Sequence, residues 1–299
     1  MKPVNFDYER PATLQAALAL LAKEGRIAKP VAGSQSLGPM LNLRLVQPEL
    51  LVDITAIPEL AAIREDKGVL VLGACVTHAA LEDGGYPDPT RGVLAQVAAG
   101  IAYRAVRNRG TVGGSLAHAD PAADWVSALI ALGADVVVAG TSGRRIVPAK
   151  DFVVGVFETS LAPGELVAEI RIPGLSANAR WGYAKICRKA GEFSHATGAV
   201  LADPARKFAR AVIGAVSGPP IVVDDAKIAE QDPGEAWVAA RLAGTPLGDD
   251  AYQIRIHHVA LKRAIAAASE SSRRSINGGG DSPAAVPPIG RPTMDSPPP

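Results

Sequence analysis

Between Thr111 and Asp124 the chain reads TVGGSLAHADPAAD, the stretch that most restricts what it can become. Two adjacent glycines follow a β-branched pair, and Asp120-Pro121 reads as a helix start. Aspartate is a good N-cap, and proline at the first helical position lacks only an N–H that the helix would leave unused. Behind them Trp125, Val126, Leu129 and Ile130 form the apolar stripe of a packed helix. The pattern predicts a Gly-Gly turn and then a helix over Pro121 to Leu132. Glycines let backbone N–H groups approach a ligand closely, and a helix N-terminus favours negative charge, so the stretch reads as a phosphate or pyrophosphate cradle. An ordinary turn into a helix accounts for the same residues.

The 299 residues suffice for a real core and two or three subdomains. A net charge of +1, with scattered lysines and arginines, argues against a nucleic-acid groove or an acidic-lipid surface. The two cysteines, Cys75 and Cys187, stand far apart, which excludes an iron–sulphur cluster or zinc site built from this chain's own thiolates. Lys2, Asp7, Glu9 and Arg10 interrupt any signal-peptide pattern. Val126 to Gly140, the longest apolar reach, is broken by Gly133 and Asp135 and falls short of the roughly 20 residues of a membrane span. A soluble, cytoplasmic protein is expected.

Apolar spacing predicts a helix over Thr13 to Glu24, and a strand over Ala28 to Ala32 runs into the small polar loop Gly33-Ser34-Gln35-Ser36. Such a loop after a strand offers amides and hydroxyls to an anion. It is neither a G-x-S-x-G elbow, since Ser34 precedes Ser36 by two, nor the G-x-G-x-x-G of a Rossmann turn. A short helix is expected at Met40 to Leu45. Strands are expected at Leu50 to Thr55, Val69 to Thr77, Ala134 to Ala139, Arg145 to Pro148 and Leu166 to Ile172. Val93 to Ala105 reads as a helix leading to Arg107 and Arg109, which stand beside the suspected cradle and serve either it or solvent. Pro173-Gly174 marks a boundary. Beyond it come strands at Tyr183 to Lys189, Ala196 to Ala202 and Ala209 to Ser217, then helices at Glu235 to Leu242 and Ala251 to Ala268. From Ser269 the chain turns rich in Gly, Ser and Pro, a composition that predicts disorder through residue 299.

His118, Asp120 and Asp124 have a spacing that a metal could use, but capping explains Asp120 without one, and His118 has no assignable role. No nucleophile–base pair and no carboxylate pair stands out, as expected where a cofactor carries the chemistry.

Several of these strings together resemble one family. They are Ala32-Gly33-Ser34-Gln35-Ser36, Leu43-Arg44-Leu45, LVDIT, Arg107 to Gly114 (RNRGTVGG), HADPAAD, FETSL and ELVAEIRIP. In this order, over roughly Pro3 to Ala268, they are similar to the FAD-binding medium subunit of the molybdenum hydroxylases, the carbon monoxide dehydrogenase and xanthine dehydrogenase type. The resemblance implies an α+β, vanillyl-alcohol-oxidase-type (PCMH) FAD-binding fold. Its two subdomains would be 1–57 and 58–175, followed by a small C-terminal sheet-and-helix domain at 176–268 and the tail at 269–299. It implies that the two loops wrap the FAD pyrophosphate through Ala32, Gly33, Ser34, Gln35 and Ser36 and through Thr111, Val112, Gly113, Gly114 and Ser115. Pro30, Val31 and Leu37 would line the same groove. Asp124 matches a carboxylate that touches the cofactor, Lys185 a lysine near the flavin ring, and Ile101 and Val167 are carried over with them. Three positions depart from the family pattern: Ser34 replaces a glycine, Ser115 an asparagine, and Phe193 a tyrosine that covers the flavin, so Phe193 can stack but not hydrogen-bond.

The resemblance further implies a redox subunit with no catalytic residue or metal of its own. Electrons would come from [2Fe-2S] clusters on a small partner subunit, after substrate oxidation at a molybdenum cofactor on a large one. They would leave to an external acceptor, and the assembly would be a dimer of heterotrimers. The alternatives are a self-contained flavin-dependent oxidoreductase and a non-catalytic scaffold that lost FAD.

Overall fold

The computed structural model describes residues 2–225, 227–228 and 230–277. Its first section holds β1 (Asp7–Glu9), α1 (Leu14–Leu21), β2 (Ala28–Val31), α2 (Leu37–Asn42) and β3 (Leu50–Asp53). The strands form a parallel sheet in the order β1-β3-β2. A central parallel strand is covered on both faces, which is why β3 is apolar almost throughout and entirely buried. Thr13 caps α1 by accepting from the Ala16 amide, and Leu14, Ala17, Leu18 and Leu21 turn inward at helical spacing.

The second section begins with α3 (Pro58–Ala61), β4 (Ile63–Asp66) and β5 (Val69–Gly73). Five helices follow: α4 (His78–Asp83), α5 (Val93–Ala99), α6 (Arg104–Arg107), α7 (Val112–His118) and α8 (Asp124–Leu132). Then come β6 (Asp135–Gly140), β7 (Gly143–Pro148), α9 (Ala149–Phe152), the small pair β8 (Val153–Gly155) and β9 (Glu158–Thr159), and β10 (Leu166–Pro173). Its main sheet is antiparallel, in the order β4-β5-β10-β6-β7. The third section is an antiparallel sheet of β11 (Arg180–Ile186), β12 (Ala196–Asp203), β13 (Phe208–Gly214) and β14 (Ile221–Val223), followed by α10 (Glu235–Leu242) and α11 (Ala251–Asn277).

All nine residues of α8 are buried. Trp125, Leu129 and Leu132 share one core with Leu70 and Leu72 of β5 on one side and with Ala199, Leu201 and Val212 of the third sheet on the other. No helix among the described residues is long and apolar enough to cross a membrane.

Several expectations need correction. The Gly-Gly pair lies inside α7, because the Thr111 hydroxyl caps that helix at the Gly114 amide and offsets the glycines' poor helix propensity. The next helix starts at Asp124, with Ala123 as its N-cap residue. Asp120 instead closes an Asx turn onto the Ala122 amide at 2.9 Å, which keeps Pro121 outside the helix. The helix expected over Val93 to Ala105 breaks after Ala99, and Ala102 adopts a positive φ of 41°. The strand expected over Val69 to Thr77 ends at Gly73. Helix α11 passes Ala268 and runs to Asn277, since no glycine or proline intervenes before Gly278. The disorder expected for 278–299 falls outside the described residues.

Candidate functional site

The loop from β2 to α2 and the N-terminal turn of α7 come together on one cavity of about 490 Å³, a volume suited to a sizeable small molecule. Pro30, Ala32, Gly33, Ser34, Gln35, Ser36 and Leu37 line it from the first loop, and Thr111, Gly113, Gly114 and Ser115 from the second. Ile101, Asp124, Val167 and Phe193 line it as well. Three residues of the expected set do not. Val31 sits in the strand behind the loop, and Val112 is fully buried in the core. Lys185 stands one layer back, held against Asp124.

Steric fit brings the loops together. A Cβ on Gly33 would lie 2.0 Å from the Arg109 carbonyl oxygen, and one on Gly113 would lie 2.4 Å from the Ala74 Cβ. These glycines are required by contact between protein segments, before any ligand is considered. Ser34 has φ 60°, the left-handed conformation that favours glycine. The expected glycine-to-serine departure therefore keeps the backbone shape at some cost in strain.

The amides of the two loops differ in what they have left to give. Among the described residues, those of Ser34, Gln35, Ser36 and Leu37 have no hydrogen-bond partner. In the second loop the Val112 amide donates to the Val76 carbonyl, Gly113 to Ala74, Gly114 to the Thr111 hydroxyl and Ser115 to the Thr111 carbonyl, all at 3.0 or 3.1 Å. The expectation that both loops offer amides holds for the first loop, whereas in the second, among the described residues, only the Thr111 amide has no partner. The second presents the Ser115 side chain and a close-packed backbone.

Elsewhere on the cavity wall stands a buried charged group. Asp124 accepts from the Tyr183 hydroxyl at 2.6 Å and pairs with Lys185 Nζ at 3.0 Å, while Lys185 also donates to the Gly100 carbonyl at 2.8 Å. Burial and the Asp124 charge hold the Tyr183 hydroxyl well above its usual range, so it stays a donor. Phe193 is 63% exposed at the rim.

Arg107 and Arg109 do not line the cavity. Arg107 forms a two-pronged pair with Glu82 and donates to the carbonyls of Ile101 and Ala102, thereby holding the segment that carries Ile101. His118 and Asp120 do line it, and the His118 ring packs on Phe157 at 5.0 Å. Sequence reasoning missed several polar groups: Lys29, His78, Glu165 and Glu192 on the wall, and Tyr183 behind Asp124. The hydrogen-bond partners of His78 and Tyr183 lie 47 and 59 residues away along the chain, so no local spacing signals them.

Residues 4–175 match the family model described as FAD binding domain in molybdopterin dehydrogenase. The chain is 40% identical to the 6-hydroxypseudooxynicotine dehydrogenase complex subunit alpha of Paenarthrobacter nicotinovorans, over 73% of this chain and 74% of that one. It is 41% identical to the carbon monoxide dehydrogenase medium chain of Hydrogenophaga pseudoflava, over 67% and 70%. Its fold is similar to a chain in the solved structure of Hydrogenophaga pseudoflava carbon monoxide dehydrogenase lacking the Mo-pyranopterin moiety of the molybdenum cofactor. The TM-score is 0.80 at 35% identity, covering 90% of this chain and 99% of that one.

Proposed function

The chain belongs to the family of FAD-binding domains of molybdopterin dehydrogenases, an oxidoreductase subunit of the medium-chain type, and from that premise we propose that its groove holds FAD for electron transfer within a three-component complex. The observation that carries the reading is the row of unpartnered amides at Ser34 to Leu37, set across one cavity from Thr111 and Ser115. The donor set fits the group: free amides suit a pyrophosphate, and the apolar side chains of Ile101, Leu161, Val167 and Phe193 suit a flat ring system.

When bound, FAD supplies the redox chemistry, taking electrons from iron–sulphur clusters on a partner chain and passing them to an external acceptor such as NAD, oxygen or a quinone. The protein's work is binding and electrostatics. The amides of Ser34 to Leu37 would stabilise the phosphate oxygens by hydrogen bonding. Lys185 compensates Asp124, so the carboxylate borders the groove without an isolated negative charge. Phe193, at the rim, offers a ring face and no hydroxyl.

The two cysteines of this chain are free thiols, fewer than the four that an iron–sulphur cluster takes, which supports a reading with the clusters on a small partner subunit; in the proposed complex a large molybdenum subunit oxidises the substrate. The proposed assembly is a dimer of such heterotrimers, placed in the cytoplasm. The two flavin-binding subdomains are 1–57 and 58–175, the span that the family model matches almost entire. The test is purification of the tagged chain from its native host. Flavin absorption together with an iron–sulphur chain and a molybdenum chain is expected. A flavin-loaded monomer that oxidises a small substrate unaided would instead favour a self-contained oxidoreductase.

A further inference from the structure

Among the polar groups on the cavity wall, His78 is used by nothing described so far. It is 5% exposed and opens α4, where Thr77 caps the helix and the His78 amide donates to the Gly110 carbonyl at 2.9 Å. The indole N–H of the fully buried Trp125 donates to His78 Nδ1 at 3.0 Å. A ring nitrogen that accepts carries no proton, so the neutral ring has its hydrogen on Nε2. Burial and the nearby Arg107 charge push the ring's pKa down to about 4, so it is uncharged at neutral pH.

The Cδ2–Nε2 edge faces the second loop: a Cβ on Gly110 would lie 2.8 Å from both atoms. Among the described residues Nε2 has no hydrogen-bond partner, and it is not among the polar atoms sealed from solvent. On this side of the groove the amides of Val112 to Ser115 are all engaged, and among the described residues the loop keeps one unpartnered amide, that of Thr111. We infer that His78 is a ligand-binding residue, a neutral histidine whose Nε2–H donates to a phosphate oxygen of the dinucleotide from the second-loop side, with Trp125 fixing its tautomer. The inference rests on the FAD reading. It divides the labour between the walls, with a row of backbone amides donating on one side and side chains, His78 beside Ser115, on the other.

The test is titration of the flavin-free full chain with FAD, ADP and riboflavin, in wild type, His78→Gln and His78→Leu. A hydrogen bond to a charged oxygen corresponds to about tenfold or more in affinity. His78→Leu should weaken FAD and ADP by that factor and leave riboflavin unchanged, whereas His78→Gln, which keeps a donor, should recover most of the loss. A folded His78→Leu chain that binds FAD and ADP like wild type overturns the assignment. If that variant fails to fold, the ring nitrogens of wild-type His78 decide by NMR. The Nε2–H form, with its proton resonance moving on addition of ADP, is expected. The other tautomer, or a resonance indifferent to saturating ADP, overturns it. Wild-type chain that binds no FAD removes the FAD reading and this inference together, whereas wild type that binds FAD while His78 is indifferent removes this one alone.

Discussion

The backbone of Ser34 sits at φ 60°, where a Cβ costs energy and a glycine does not. Ser34→Gly is therefore expected to stabilise the chain by up to about 1 kcal/mol, the strain relieved exceeding the extra freedom of the unfolded chain. Chemical denaturation would register it as a higher midpoint with unchanged slope. The opposite holds at Gly33, where a methyl group would meet the Arg109 carbonyl at 2.0 Å. Gly33→Ala should force the loops apart, costing about 1–3 kcal/mol and most of the flavin, read as midpoint and bound-flavin ratio of the purified chain. His78 provides the pH signature. Its folded pKa of about 4 lies below the 6.5 of an ordinary histidine, so between those values the unfolded chain binds more protons. Its contribution to stability is complete above pH 6.5 and is lost as the pH falls towards 4, amounting to about 3 kcal/mol. His78→Gln should flatten that part of the stability–pH curve, and an unaltered slope would show that other groups cause it.

At the scale of elements, α7 and α8 make the site. Helix α7 turns Gly113 onto Ala74, and the first residue of α8, Asp124, is tied to β11 by Tyr183 and Lys185. Removing one member of a buried pair leaves a charge without compensation. Lys185→Met should therefore cost about 3–5 kcal/mol, against about 1–2 kcal/mol for Tyr183→Phe, which deletes a hydrogen bond but no charge. Equal losses in thermal or chemical unfolding would refute that ordering. These two helices also show where sequence reasoning reaches its limit. The loops were legible because their residues are contiguous: the small polar run Gly33 to Ser36 after a strand reads as an anion-binding loop, and the resemblance to the family extended that lining to Ala32 and Leu37. Helix α7 was not, because two adjacent glycines read as a turn unless the Thr111 cap is weighed against them. Asp120-Pro121 has the composition of a helix start, yet Asp120 bonds its own turn, a choice that composition does not distinguish. His78 and Tyr183 were beyond reach for another reason: what makes them notable is a partner supplied by tertiary folding.

For the whole molecule the question is whether the family-matched segment could stand by itself. The match ends at residue 175, yet the buried helix α8 within it is covered on one side by residues beyond that point. Trp125, Leu129 and Leu132 share a core with Trp181, Ala199, Leu201 and Val212, and Asp124 would lose both Tyr183 and Lys185. A chain cut after Leu175 exposes that apolar face and leaves a carboxylate without its cation, each change being large against a total stability of about 5–15 kcal/mol. The truncated chain is thus expected to lack a cooperative thermal transition, to bind hydrophobic dye and to retain no flavin, although every residue of both loops is present. The full chain should unfold with its flavin domain and its C-terminal sheet in one transition, because α8 cannot lose one neighbour without exposing its surface to water. Calorimetry of the two chains tests this: a truncated chain that melts cooperatively with flavin bound would mean that the C-terminal sheet is an appendage and not a wall of the site.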